Sequence, residues 1–429
     1  MSDPFSRREF LKKSGAGAGL AGMTGPAVLR SLGASERINV GCIGLGIRGE
    51  YLLKFALQIP KVRVAGLCDA YDGYIARAKA DMEKAGQPGS QAEVFPDYRA
   101  LLGSKKIDAV IIATPEHWHH RMGLDAIDAG KDMYLEKALA HTIKEGDELV
   151  KAAGANPKLV IQVGTQNRSN PIYLKAREIY QSGQLGKVKA VRAFWYRNSL
   201  PADPAWRYAI PADASPSTCR WEQFLGPAAK RPFDPKRMFQ WRLYWDYSQG
   251  IATDLMTHQL DIIHYITGET APKTIVANGG IYSWPDGREV PDNWHTIFQY
   301  GNEPDGFMVQ YSSMFSNSKF QYGEQFLGSE GTLECLERKT LLYTPEAVYA
   351  KKYPERKPIT MNAADLNPKD SVLLHLENWA ECVANRDPKT TCPVPVAETA
   401  ATPCHLAIDS FRAHRQVTWN AAARKAALA

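Results

Sequence analysis

Asp254, His258 and Asp261 stand four and three positions apart in an apolar, helix-patterned stretch over residues 251–267, so the spacing puts all three on one helical face. A carboxylate beside an imidazole can orient and polarise it, which is what a general base needs near neutral pH. The same face could hold a divalent cation or form a hydrogen-bonded structural cluster. Glu136 and Lys137 close a short apolar run. A lysine there can stabilise an oxygen that is gaining alkoxide charge, or it can stay a surface lysine paired with its neighbour. Thr114-Pro115-Glu116-His117-Trp118-His119-His120 follows a second apolar run. His117 and His119 would diverge from a helix start, which favours positioning of a bound group over joint metal ligation. No metal site is assigned.

Residues 194–247 form a long irregular stretch with five of the ten tryptophans: Trp195, Trp206, Trp221, Trp241 and Trp245. Arg197, Arg207, Arg220 and Arg242 are interleaved with them. Flat rings stack on the C–H faces of sugars, while arginines and carboxylates bind hydroxyls. Simple packing is the competing explanation for such rings.

The elements that must position these groups are legible upstream. Strand-like runs at 38–45, 62–68, 94, 109–113, 133–135 and 159–163 alternate with helical stretches near 50–58, 72–86, 98–103, 117–129 and 142–154. Such alternation predicts a parallel sheet with helices on both faces and ligands beyond the carboxyl ends of its strands. The first run ends in Gly44-Leu45-Gly46-Ile47-Arg48-Gly49, and Asp69 ends the second. Strand, glycines, helix, strand and terminal acid in that order form a dinucleotide-binding pattern. Gly44 allows the turn, Gly46 the approach of a pyrophosphate and Gly49 the packing of helix on strand, with the helix N-terminus facing the phosphates. Asp69 would accept from ribose hydroxyls and repel a 2′-phosphate, so the expected cofactor is NAD. Thr114, Pro115 and Glu136-Lys137 lie at strand ends and so face the nucleotide.

From about residue 166 the pattern changes. Helices at 171–181 and 251–267 flank a strand at 187–195 and the irregular stretch. Strand-like runs follow at 272–280, 294–300, 307–315, 320–327 and 331–335, and helices near 371–385 and 396–413 close the chain. This predicts an α+β domain on an open, mainly antiparallel sheet whose helices cover one face; burial in a homo-oligomer would cover the other. The expected organisation is an export segment at 1–34, a Rossmann domain at 35–165 and a substrate-binding and oligomerisation domain at 166–429.

Composition narrows the function classes. The formal charge is +6, but residues 1–34 contribute five bases and two acids, so the rest carries only +3 and charge gives no support for nucleic-acid binding. Ser6-Arg7-Arg8-Glu9-Phe10-Leu11-Lys12 followed by the glycine- and alanine-rich stretch 15–29 matches a twin-arginine export signal, which makes the export machinery an expected partner and the periplasm, or another exported location, the expected destination. No other apolar run has the length of a membrane helix. Seven cysteines without a C-x-x-C pair indicate neither a zinc site nor a disulfide framework.

Taken together, the glycine motif, Ala113-Thr114-Pro115-x-x-x-His119, Glu136-Lys137, Asn167-Arg168 and Asp254-x-x-x-His258-x-x-Asp261 resemble the Gfo/Idh/MocA oxidoreductase family. Gly164-Thr165-Gln166-Asn167-Arg168-Ser169 and Trp221-x-x-Phe224-Leu225-Gly226-Pro227 are similar to an often exported bacterial subgroup. The resemblance implies a Rossmann domain, an open-sheet domain that mediates dimers or tetramers, and hydride transfer between nicotinamide and a sugar or cyclitol hydroxyl. By position it implies Lys137 beside the nicotinamide, Asp254 and His258 as the acid–base pair, His119 and His117 near the cofactor, and Arg168 at the domain junction. It places Lys137, Arg168, Trp241, Asp254 and His258 on the substrate. Ala138 stands where the family usually has proline, and a cis bond there would cost about 2.5–4 kcal/mol. The expectation is an exported dehydrogenase with tightly held, recycled NAD. The alternatives are a glycoside hydrolase or lyase that oxidises its substrate transiently, and a non-catalytic sugar-binding protein that retains NAD.

Overall fold

The computed structural model describes residues 37–429, so the expected export segment lies outside the described residues. β1 (Ile38–Ile43), β2 (Val62–Cys68), β3 (Glu93–Val94), β4 (Ala109–Ile112), β5 (Asp132–Leu135) and β6 (Ile161–Val163) form one sheet in the order β3-β2-β1-β4-β5-β6, every pairing parallel. Both faces of β1 and β4 are buried, as continuous apolar runs require. α1 (Ile47–Ala56) and α2 (Asp72–Lys84) pack on one face through Leu52, Leu53, Ile75 and Met82. α3 (Tyr98–Gly103), α4 (His119–Asp128) and α5 (Ile143–Ala155) pack on the other through Leu101, Met122 and Leu149. Caps fix the entries: Asp97 accepts from the amides of Arg99 and Ala100, and Thr142 from that of Glu145.

The second sheet has ten strands: β7 (Val188–Tyr196), β8 (Thr274–Gly280), β9 (Asn293–Tyr300), β10 (Phe307–Met314), β11 (Tyr322–Gly328), β12 (Gly331–Leu336), β13 (Thr340–Pro345), β14 (Ile359–Asn362), β15 (Val417–Asn420) and β16 (Lys425–Leu428). Their order is β14-β13-β12-β11-β7-β10-β9-β8-β15-β16, antiparallel except where β7 meets β10. Period-two burial is clear in β9, where Trp294, Thr296, Phe298 and Tyr300 turn inward and His295 and Ile297 outward. α6 (Pro171–Gln181) and α7 (Thr257–Thr267) cover the inner face with Ile172, Ile179, Leu260 and Ile263.

Two features depart from expectation. First, the C-terminal helices α8 (Ser371–Asn385) and α9 (Val394–Ala413) do not serve the second sheet alone. Val372, Leu376 and Trp379 of α8 complete the core beneath α1, and Val394, Ala397 and Ala401 of α9 join the core beneath α4 and α5. The parallel sheet thus needs chain from beyond residue 370 to seal its apolar faces. Second, the stretch expected as one helix begins with a π-helical segment, Ala252–Met256, that runs into α7. The seven cysteines are buried and unpaired.

Candidate active site

A cavity of about 1450 Å³ lies beyond the carboxyl ends of β1, β2, β4 and β5, between the two sheets. Gly44 takes φ +81°, and a Cβ there would lie 2.8 Å from the Ala113 backbone. Gly49 touches the turn so closely that a Cβ would come within 1.9 Å of the Gly44 oxygen. Gly46, Ile47 and Arg48 line the cavity. α1 has no side-chain cap, so its first-turn amides are available to phosphate oxygens. Asp69 also lines the cavity, and its carboxylate accepts the amides of Leu45 at 2.5 Å and Tyr71 at 2.8 Å. Burial pushes its pKa up to about 6, against the pull of those two amides. Thr114 and Pro115 form the opposite wall, where the Thr114 hydroxyl is buried without a partner. An uncapped helix start, a glycine cradle, an acid at the ribose position and an orphaned hydroxyl fit a dinucleotide.

The other end of the cavity is polar. Glu136 is buried and accepts from Arg48 Nε at 2.7 Å, fixing the first turn of α1 to the end of β5. Lys137 does not pair with Glu136 through its ammonium. Its Nζ donates to the Asp254 carbonyl at 2.6 Å and to Asp254 Oδ1 at 2.8 Å. The Lys137–Ala138 peptide bond is cis. Arg242 Nε donates to the same Oδ1 at 3.2 Å, and among the described residues no hydrogen bond or ion pair engages Oδ2. Lys137, Arg242 and Arg197 hold the Asp254 carboxyl far below the usual range, overriding its burial.

His258 lines the cavity, 6% exposed, but Asp254 does not orient it as expected. The Asp254 carboxylate is engaged by Lys137 and Arg242, and among the described residues no hydrogen bond joins it to His258. His258 Nδ1 is buried without a partner. Burial, Lys137 and Arg338 drive its pKa well below the ordinary value, so the ring is neutral at neutral pH.

Several other expectations need correction. Asp261 is fully buried and takes Arg168 Nε on both oxygens, at 2.7 and 2.9 Å. That ion pair braces α7 against the junction, and neither residue lines the cavity, so the structure places Arg168 behind the site instead of on its expected substrate-facing wall. Of the Asp-His-Asp face, Asp254 and His258 line the cavity and Asp261 turns away to Arg168; among the described residues no cluster of three His, Cys, Asp or Glu side chains is placed to hold a metal. His119 sits behind the wall, its ring nitrogens against the Ala138 carbonyl at 2.5 Å and the Thr114 carbonyl at 2.8 Å. It ties two cavity loops together without facing the cofactor space. Leu45 and Gly49 also lie outside the lining and act through packing. His117 does border the cavity; its Nε2 lies 3.0 Å from the Phe224 carbonyl, and burial pulls its pKa down to about 3.

The aromatic stretch divides. Trp195, Tyr208 and Trp241 line the cavity, whereas Trp206, Trp221 and Tyr247 are core. Arg242 stacks over Trp241 at 4.2 Å and Arg197 over Trp195 at 4.7 Å. No pattern in the sequence marks Arg242 as a partner of Asp254; the two meet only in the folded chain.

Comparisons with known proteins agree with this geometry. Residues 38–165 match the NAD-binding Rossmann fold of the Gfo/Idh/MocA oxidoreductase family, and residues 224–334 match that family's C-terminal domain. A "Glycosyl hydrolase family 109 protein" of Saccharopolyspora erythraea is 34% identical over 38% of this chain and 39% of its own length. "Inositol 2-dehydrogenase 2" of the same organism is 30% identical over 35% of this chain and 43% of its own. The chain thus spans less than half the length of the relatives it matches. In fold, a levoglucosan dehydrogenase in complex with NADH and levoglucosan aligns at TM-score 0.68 and 18% identity, covering 89% of this chain and 99% of that one. An inositol dehydrogenase homolog from Azotobacter vinelandii, complexed with NADH and myo-inositol, aligns at TM-score 0.67 and 17% identity, covering 90% and 98%.

Proposed function

The chain belongs to the Gfo/Idh/MocA oxidoreductase family, and from that premise we propose that it is an NAD-dependent dehydrogenase acting on a sugar, cyclitol or glycoside hydroxyl. The observation that carries this reading is convergence: Lys137 from the parallel-sheet unit and Asp254 and His258 from the other line the cavity that the glycine cradle opens. Bound NAD supplies the hydride acceptor or donor. The substrate hydroxyl lies against Lys137 Nζ, whose charge stabilises the oxygen as it loses its proton. Asp254 holds that ammonium in place at 2.8 Å, and its Oδ2 is available to a second substrate hydroxyl. His258, kept neutral by burial and its cationic neighbours, offers a bare nitrogen for the departing proton. The resulting imidazolium is disfavoured beside Lys137, so the proton moves on to solvent. Trp195 and Trp241 add apolar ring surface to the cavity wall for the C–H groups of the substrate.

The reading extends to the whole protein. The twin-arginine segment directs export, and because a free NAD pool is not expected there, the nucleotide stays bound and is recycled within the turnover. A homodimer or homotetramer forms through the open sheet face, where Val276, Ile297 and Met308 are each about half exposed on adjacent strands. The test is mass spectrometry of nucleotide released from native protein, followed by a sugar and glycoside screen read by nicotinamide absorbance. Protein that neither releases nor binds NAD refutes the proposal. The similarity to glycosyl hydrolase family 109 proteins favours a second reading, redox-neutral glycoside cleavage through the same residues. Release of aglycone from a nitrophenyl glycoside without net NADH would select it.

A further inference from the structure

The inner end of the cavity carries more positive charge than the protein itself neutralises. Lys137, Arg197 and Arg242 all lower the pKa of the single carboxylate Asp254, which hydrogen-bonds the first and last of them through one oxygen. Glu116 also borders the cavity, held by Thr253 Oγ1, Ser248 Oγ and the Gln249 amide, and its charge acts on Lys137 and Arg242, so those two cations face two acids. That leaves Arg197. Its guanidinium rests on Trp195 at 4.7 Å, lines the cavity, and makes no side-chain hydrogen bond or ion pair among the described residues. Trp195 carries a second cation, Arg338, at 4.8 Å; Arg338 also lies over Tyr322 at 4.2 Å, its Nε is buried without a partner, and among the described residues no carboxylate lies within ion-pair distance of it, Glu324 acting on it only through space. Burial lowers the pKa of Arg197, and the pull of Asp254, which already bonds Lys137 and Arg242, does not offset it.

A neutral polyol supplies hydroxyls to such a pocket but leaves the excess charge uncompensated. An anion satisfies it, and the planar guanidinium fork suits a carboxylate or phosphate edge-on. We propose that the substrate is an anionic sugar, its carboxylate or phosphate held by Arg197 against Trp195 while its reacting hydroxyl meets Lys137 and His258. This inference rests on the dehydrogenase reading, whose substrate class it names, and Arg197 acts in it as a specificity-determining residue.

The experiment measures NAD reduction by matched substrates: D-glucuronate and D-gluconate as carboxylates, glucose 6-phosphate as the phosphate, and D-glucose and myo-inositol as neutral controls. The expected result is a kcat/KM for one of the acidic arms roughly 10- to 100-fold above that of the neutral sugars, the factor expected of one charge-assisted hydrogen-bonded pair. Whichever acidic arm leads identifies the anion. Arg197→Met should collapse that preference through KM, and Arg197→Lys should retain part of it; matched melting temperatures confirm that both variants fold. Equal or better turnover of neutral sugars, or an acid preference that survives Arg197→Met, overturns the inference and leaves the dehydrogenase reading standing. If no substrate is turned over, calorimetric titration of the same acids into NAD-loaded protein separates the two. Arg197-dependent binding then supports anion recognition while the dehydrogenase reading fails, and absence of binding overturns both.

Discussion

Replacing Asp254 with Asn removes one charge and almost no volume, yet it strips the counter-ion from Lys137 and Arg242 together. The side chains of Asp254 and Lys137 are only 11% and 12% exposed, so water cannot fully replace the lost carboxylate. Removing one member of a buried ion pair costs about 3–5 kcal/mol. Because this pair borders a cavity that admits water, the low end applies, about 3 kcal/mol. A chain of this size unfolds with an entropy near 0.8 kcal/mol/K, so the melting temperature should fall by about 4 °C. Tryptophan fluorescence on heating measures it, and added acetate should restore part of the loss by entering the vacated anionic position. A melting temperature within about 1 °C of the parent, with no response to acetate, would show that solvent screens these charges and would refute the electrostatic account of the site.

Three further outcomes are expected. Buried His117, His264 and His405 titrate at about 3 and His375 at about 4, so below pH 6.5 the unfolded chain binds more protons and stability falls as pH drops. Asp69 at about 6 and Glu324 at about 7 oppose this, since their raised values favour protonation in the folded state; these six groups together lose about 4 kcal/mol from pH 7 to pH 5, and urea midpoints that do not move between those values would contradict it. Gly49→Ala drives a methyl into the Gly44 carbonyl and should cost about 1–3 kcal/mol together with nucleotide retention; a variant that keeps both its melting temperature and its bound NAD counts against the cradle. Asp69→Ser removes the charge that opposes a 2′-phosphate and should shift the NAD-to-NADP affinity ratio by about tenfold, checked by titration with both nucleotides.

Local signals carried much of the fold. The strand β2 and the helices α3, α6 and α8 occupy the ranges read from periodicity and caps, because those forces act within a few residues. Signals failed where partners are distant or turns unmarked. The β12–β13 hairpin turns through Glu337 and Arg338, at φ +52° and +60°, with no glycine or asparagine to announce it. β15 and β16 were missed because the alanine-rich segment joining and forming them has helical propensity, which strand pairing overrides.

The site divides along the same line. Sequence alone determined that a glycine turn, a helix start and a terminal acid would meet, since Gly44 to Asp69 is one strand–helix–strand unit whose packing its own residues dictate. It also placed Lys137 at a strand end and His258 on a buried helix. Tertiary structure alone decided that Asp254 bonds Lys137 and Arg242 instead of His258, that Asp261 neutralises Arg168, and that Arg197 meets Asp254 only through space while it rests on Trp195. Ion pairing depends on separation in space, and Lys137 and Asp254 are 117 positions apart, joined only once the two sheets have docked.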